Sequence, residues 1–185
     1  MNEMTSNDEF RQYTAFARID GAIMGVMWIA SFFCFIGEFQ MPLLSIVAVA
    51  LGLASVAVGT IRLRIFRDNV LGGSITFGRA TLYSILTYFY AALLMALAQF
   101  VYFQFLDHGY LINQYIATLS TPEYAATVKS AYGIEAKQLI AILQSSMGSL
   151  RPIEIAFQFL TLNVILGIIL SIPAGAIIRR VRNLE

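Results

Sequence analysis

Charge is scarce in this sequence. Asp, Glu, Lys and Arg supply 12% of its 185 residues, about half the share usual in soluble globular domains. Four long stretches hold none at all: Gly21–Gly37, Phe39–Ile61, Ala80–Leu106 and Ile155–Ile178. With 58% hydrophobic residues and a mean hydropathy of +0.73, a water-soluble fold would have no place for so much apolar surface. The net charge is only +1, which argues against nucleic acid as a partner, because phosphate binding needs a concentrated basic surface. Cysteine occurs once, as Cys34 inside an apolar run; it reads as a small core residue, and no disulfide can form within the chain. Histidine also occurs once, at His108, with no second metal ligand at helical spacing. Walker and dinucleotide glycine patterns, a nucleophile elbow and zinc motifs are missing as well. No residues are therefore assigned as catalytic, cofactor-binding or metal-binding.

What is present is the means to cross a bilayer four times. Each uncharged stretch is close to or above the roughly 17 to 25 residues that a spanning helix requires, and a helix hides its backbone polar groups internally. The spans are placed at about 19–38, 43–62, 80–106 and 153–178, in a single membrane domain. Pro42, close behind Glu38, forces a tight reversal that makes the first two a hairpin. The third exceeds a hydrocarbon core of about 30 Å, so it tilts or projects into the interface. Tyr83, Tyr88 and Tyr90 toward one end and Tyr102, Phe103, Phe105 and Tyr110 toward the other read as two interfacial aromatic belts. Met1 to Phe10 lack the basic start and apolar core of a secretory signal, so the first span is expected to remain in the mature protein.

Basic residues set the orientation. Arg11 and Arg18 precede the first span, Arg62, Arg64, Arg67 and Arg79 lie between the second and third, and Arg179, Arg180 and Arg182 follow the fourth. The other side holds Lys129, Lys137 and Arg151, diluted by Asp107, Glu123 and Glu135. The positive-inside rule then puts both termini and the middle connection in the cytoplasm of a bacterial inner membrane. The arginines between and after the spans act as a basic anchor for anionic headgroups, with an acidic partner surface as the alternative. Membrane lipid is thus the first expected partner.

Between the third and fourth spans, 107–152 is the one sizeable segment outside the membrane. Ser120 and Thr121 ahead of Pro122 and Glu123 mark a helix start, and Gly133 marks its stop. A second helix is expected from Glu135 to Met147, with Leu139, Ile140, Leu143 and Met147 striped opposite Lys137, Gln138 and Gln144. Leu111, Ile112, Tyr115 and Ile116 repeat the pattern. The segment reads as an amphipathic extracytoplasmic lid, with a docking surface as the alternative. The fold class is accordingly all-α: a four-transmembrane-helix bundle, up-down-up-down, with this helical segment inserted.

Small and polar residues inside the spans are assigned to helix packing. Gly21 and Gly25 form GxxxG in the first span, Ala48, Gly52, Ser55 and Gly59 a small face in the second, and Gly167, Ser171 and Gly175 another in the fourth. Pro173 should bend the fourth. No ionisable group stands at the centre of a span, which disfavours proton-coupled transport. Gln99 and Asn163 are the deepest polar side chains and are expected to pair, as an interhelical hydrogen bond worth on the order of 1 kcal/mol or, alternatively, as a substrate contact. Glu38, Asp107, His108, Arg151 and Glu154 gather at the outer rim; Glu154 suits the first turn of the fourth span and can pair with Arg151. These residues, like Arg18 and Asp20 at the inner rim, read as interfacial anchors rather than chemistry.

Three stretches carry a family resemblance: Gly72 to Gly78 leading into the third span, the Tyr-rich outer segment with Pro122-Glu123-Tyr124, and Gly167 to Ser171 running on to Arg179 and Arg180. Over nearly the whole chain they resemble the bacterial four-span family catalogued as domain of unknown function 4199. The resemblance implies a small inner-membrane protein without an assigned activity, of a kind encoded near enzymes such as a polyprenol-phosphate glycosyltransferase. The leading expectation is a non-catalytic accessory or scaffold protein of the cell envelope that supports such a membrane protein partner. The alternative is a small transporter or flippase working as a homo-oligomer, its path lined by Gln99, Asn163, Ser84 and Thr87. No cofactor is expected for either.

Overall fold

A computed structural model describes residues 6–147 and 150–180. The side chains of residues 6–9 and 147 lie outside the described set, as does Arg182. Seven helices follow in order: α1 Ser6–Gly37, α2 Leu43–Asn69, α3 Phe77–Phe105, α4 Tyr110–Leu119, α5 Pro122–Tyr132, α6 Ala136–Met147 and α7 Pro152–Ile178. The described residues contain no β-strand, only an isolated antiparallel bridge between Ile75 and Arg180. The chain forms two compact units, one from Met1–Ala98 with Gln158–Glu185 and the other from Gln99–Phe157. Four of its helices are long and apolar enough to cross a membrane: Phe10–Gly37 within α1, α2, α3 and α7.

In the first unit, α1 and α2 pack as an antiparallel hairpin. The Trp28 indole N–H donates to Ser55 Oγ at 2.8 Å, and Ser31 Oγ donates to the Ala48 carbonyl at 2.8 Å, so rising numbers on α1 meet falling numbers on α2. Residues 38–42 make the reversal, with the Gln40 and Met41 amides both donating to the Gly37 carbonyl and Pro42 at the N-cap of α2. α3 runs parallel to α1: Gly21 faces Thr87 and Tyr90, and Gly25 faces Leu94. α7 runs antiparallel to α3, with Gly167 on Tyr88 and Gly175 on Thr81. These seams are close enough to require glycine. A Cβ on Gly21 would lie 2.6 Å from the Tyr90 Cβ and 2.7 Å from the Thr87 carbonyl oxygen, and one on Gly167 would lie 2.6 Å from the Tyr88 Cβ. Gly52 is different, because nothing stands within 4 Å of its Cβ position.

Facing away from these seams, Ile46, Val49, Leu53 and Ile61 of α2 are exposed, as are Leu162, Ile165, Ile169 and Ile172 of α7. Steps of three or four residues, and one of eight between Leu53 and Ile61, put each set on one helix face. Water would not tolerate aliphatic stripes of that length, and bilayer hydrocarbon accommodates them at no cost. The protein is a multi-pass integral membrane protein.

The aromatic belts are not as the sequence suggests. Tyr83, Tyr88 and Tyr102 are buried within the protein, whereas a belt residue presents its ring to the headgroup region. Tyr83 turns inward to a carboxylate, and Tyr88 fills the space that Gly167 leaves open. Phe105 is exposed. α1 also begins well ahead of the first apolar run, because residues 6–18 contain no proline or glycine to break the helix.

In the second unit, α5 starts with Pro122 after Thr121 and ends at Gly133, whose φ of 69° is the left-handed conformation that glycine takes at a helix C-terminus. α6 turns Leu139, Ile140 and Leu143 to partly buried positions and leaves Lys137, Gln138 and Gln144 exposed. Leu111 of α4, Val128 of α5 and Ala136 of α6 are buried.

Gly167→Ala is expected to lower stability by about 1–3 kcal/mol, the range for overpacking a tight core. Gly52→Ala should be neutral or raise it by up to ~1 kcal/mol through helix propensity. Equilibrium unfolding in mixed detergent micelles checks both; equal shifts for the two variants would contradict the packing described.

Candidate functional site

Asp20 is the polar centre of the first unit. Its side chain is 2% exposed and sits in α1 between Ala17 and Met24, both fully buried. An isolated carboxylate there would carry a heavy desolvation penalty, and two helices supply its partners. Arg62 of α2 donates from Nε to Oδ1 at 2.6 Å, with Nη2 also in contact with that oxygen. Tyr83 of α3 donates its hydroxyl to Oδ2 at 2.5 Å. Both carboxylate oxygens are engaged, so Asp20 is tied at once to the Arg62 guanidinium and the Tyr83 hydroxyl.

Aromatic rings enclose this set. Phe66 stacks on Tyr83 with centroids 4.2 Å apart and planes 16° from parallel. Tyr13 meets Phe66 edge-on at 5.2 Å and Tyr83 at 6.3 Å. One turn before Asp20 on α1, Ala17 belongs to the same buried cluster, as do Leu63, Ile75, Ala80, Ala174 and Ile178. Arg18, in contrast, is exposed and lays its guanidinium 5.9 Å from the Tyr90 ring centroid, a cation–π distance.

A second polar fastener closes the end of the unit. Arg67 is buried and donates Nη1 to the Ile178 carbonyl at 2.9 Å, occupying one of the last carbonyls of α7 that the helix cannot satisfy itself. Its Nε and Nη2 grip Asp68 at 2.7 and 3.0 Å. Beyond it, the Ile75 amide donates to the Arg180 carbonyl at 2.8 Å and the Arg180 amide donates back at 2.9 Å. Arg62 and Arg67 are thus engaged by internal partners, whereas Arg64, Arg79, Arg179 and Arg180 are exposed.

The matched stretch of a known family coincides with this construction. Residues 20–180 match the family described as protein of unknown function (DUF4199). The chain belongs to that family. The DUF4199 match opens at Asp20 itself and closes at Arg180, so it brackets both fasteners. No curated protein and no solved structure matches the chain.

Elsewhere in this DUF4199 chain, the residues assigned from sequence fall as follows. Thr87 donates Oγ1 to the Tyr83 carbonyl at 2.9 Å and lies in the closed seam against Gly21; Ser84 is also buried. Asn163 is half-buried. Gln99 is buried, and its Oε1 has no hydrogen-bond partner among the described residues. Of the rim group, Asp107 is buried and accepts from the Gly109 and Leu111 amides at 3.0 Å each, fastening the start of α4. Arg151 pairs with Glu154 at 2.7 Å, and Glu154 Oε2 also accepts the Arg151 amide at 2.8 Å; this contact holds the Arg151 guanidinium above its ordinary pKa. His108 stands exposed at φ 43°. The described residues contain no cluster of three or more His, Cys, Asp or Glu side chains able to hold a metal.

Asp20 and Arg62 were legible in principle. Counting back along α1 and forward along α2 by equal numbers of residues from Met41 in the reversal brings the two to the same level, but only once the hairpin is taken as register and not merely as topology. Tyr83→Phe keeps the ring stack and removes one hydrogen bond to a buried carboxylate, so it is expected to cost about 2 kcal/mol. Thermal unfolding in detergent against wild type tests this, and an unchanged midpoint would show that the hydroxyl contributes nothing.

Proposed function

We propose that the protein is a non-catalytic scaffold of the cell envelope, set in a bacterial inner membrane with both termini and the α2–α3 connection in the cytoplasm. Its role in this reading is to support a membrane-associated enzyme, such as a polyprenol-phosphate glycosyltransferase. The observation that carries the reading is how the first unit uses its polar groups. Asp20, Arg62, Tyr83, Trp28, Ser55 and Ser31 bond to one another or to the backbone of a neighbouring helix. They fasten helices to helices, which suits a rigid support better than a route for solutes. The basic distribution of the sequence supports the orientation.

A transporter or flippase is the second reading, and one observation favours it: the buried Gln99 carbonyl oxygen, which has no hydrogen-bond partner among the described residues. Against it, three of the four residues assigned to the path, Ser84, Thr87 and Gln99, are buried, and Thr87 lies in a seam too tight for a Cβ on Gly21. A water-filled path needs polar side chains that face an open groove.

Brief crosslinking in native membranes, purification in mild detergent and mass spectrometry test the proposal. The expected result is recovery with one membrane enzyme in stoichiometric amount. Recovery alone, or only with further copies of itself, would contradict the scaffold reading and favour an autonomous transporter.

A further inference from the structure

At the end of the first unit where α2 and α7 finish, the arginines divide into two kinds. Arg67 is spent on Asp68 and the Ile178 carbonyl, and Arg62 on Asp20. Arg64 and Arg180 are not consumed in this way. The Arg64 side chain is 69% exposed and reaches Asp68 only at 3.7 Å, a carboxylate that Arg67 already grips with two hydrogen bonds. Arg180 is exposed too, and its charge also bears on Asp68. The paired backbone hydrogen bonds between Ile75 and Arg180 fix it beside the end of α2. The Arg67 and Arg64 guanidinium groups thus share the Asp68 carboxylate, with the Arg180 charge acting on it as well; among the described residues, three positive charges against one negative leave a surplus of two, on planar guanidinium donors.

The apolar residues beside these arginines identify the anion. Ile61 and Ile65, on the same side of α2 as Arg64, are exposed, and so is Ile177 close to Arg180. A soluble anion would use the guanidinium groups and leave those aliphatics bare. An acidic peptide would have to bury them at the level where a spanning helix meets the headgroups. A phospholipid uses both, phosphate on the arginines and acyl chains along the isoleucines.

We propose that Arg64 and Arg180 form a discrete binding site for the phosphate headgroup of an anionic phospholipid, its chains lying along Ile61, Ile65 and Ile177. The site is narrower than a diffuse basic anchor: two arginines hold the lipid, Arg67 builds the platform, and Asp68 competes with the phosphate for both.

The test titrates the full-length protein in detergent with phosphatidylglycerol or phosphatidylcholine and counts retained lipid by native mass spectrometry. Wild type is expected to prefer phosphatidylglycerol, and Arg64→Gln with Arg180→Gln to weaken its retention by about tenfold or more. A charge-matched control, Arg11→Gln with Lys137→Gln, should change it by less than about twofold. Asp68→Asn should strengthen retention, because the competing carboxylate is gone; this variant keeps the test decisive if the double variant folds poorly. Equal losses in the double variant and the control, or no preference in wild type, would overturn the site. Displacement of phosphatidylglycerol by inorganic phosphate at equal concentration would assign the arginines to a free anion and overturn the lipid.

Discussion

A carboxylate inside a membrane-spanning helix is costly unless its charge is matched, and the arrangement of the first unit follows from meeting that cost at Asp20. Arg62 arrives from α2 and Tyr83 from α3, so one buried side chain touches three helices. Shifting α2 by a single turn along α1 would carry Arg62 about 5 Å away and strand both charges. Hydrocarbon provides little force to bring helices together, since lipid tails are as apolar as leucine. A charge that must find its partner therefore specifies register in a way that apolar faces do not.

Packing around Asp20 then exploits close approach. Gly21, next to it, lets α1 press against the α3 backbone, and Gly167 does the same for α7 over Tyr88. Tyrosines fill the remaining space, with Phe66 stacked on Tyr83 so that the hydroxyl aimed at Asp20 is held by its own ring. The end of the unit repeats the device with a different chemistry: the Arg67 guanidinium takes a terminal carbonyl of α7, and the Ile75–Arg180 bridge ties the loop before α3 to the chain leaving α7. Polar groups serve as fasteners throughout, and the lipid-facing sides of α2 and α7 remain aliphatic.

Much of this was readable from the residues, and what was not has an identifiable cause. The four apolar spans follow from uncharged length, the α5 boundaries from Pro122 and Gly133, and the Arg151–Glu154 pair from the dipole of α7. The inward turn of Tyr83 and Tyr88 was not visible, because a tyrosine near the end of a span reads equally as a belt residue until its partner is known. Asp20 reads from sequence as an interfacial anchor because it borders an uncharged run, and its burial among partners is not visible there. The helix in fact begins at Ser6, and the partner stands forty-two residues away on another helix. Local pattern identifies helices well, whereas contacts that depend on register between helices need the pairing itself.

A double-mutant cycle on Asp20→Ala and Arg62→Ala, read by reversible unfolding in mixed micelles, tests the central claim most directly. If the pair sets the register, each single variant should cost about 3 kcal/mol by leaving a charge unmatched, and the double should recover about 2 kcal/mol of their sum. Additive losses within about 0.5 kcal/mol would show that the two charges do not depend on each other and would contradict the account.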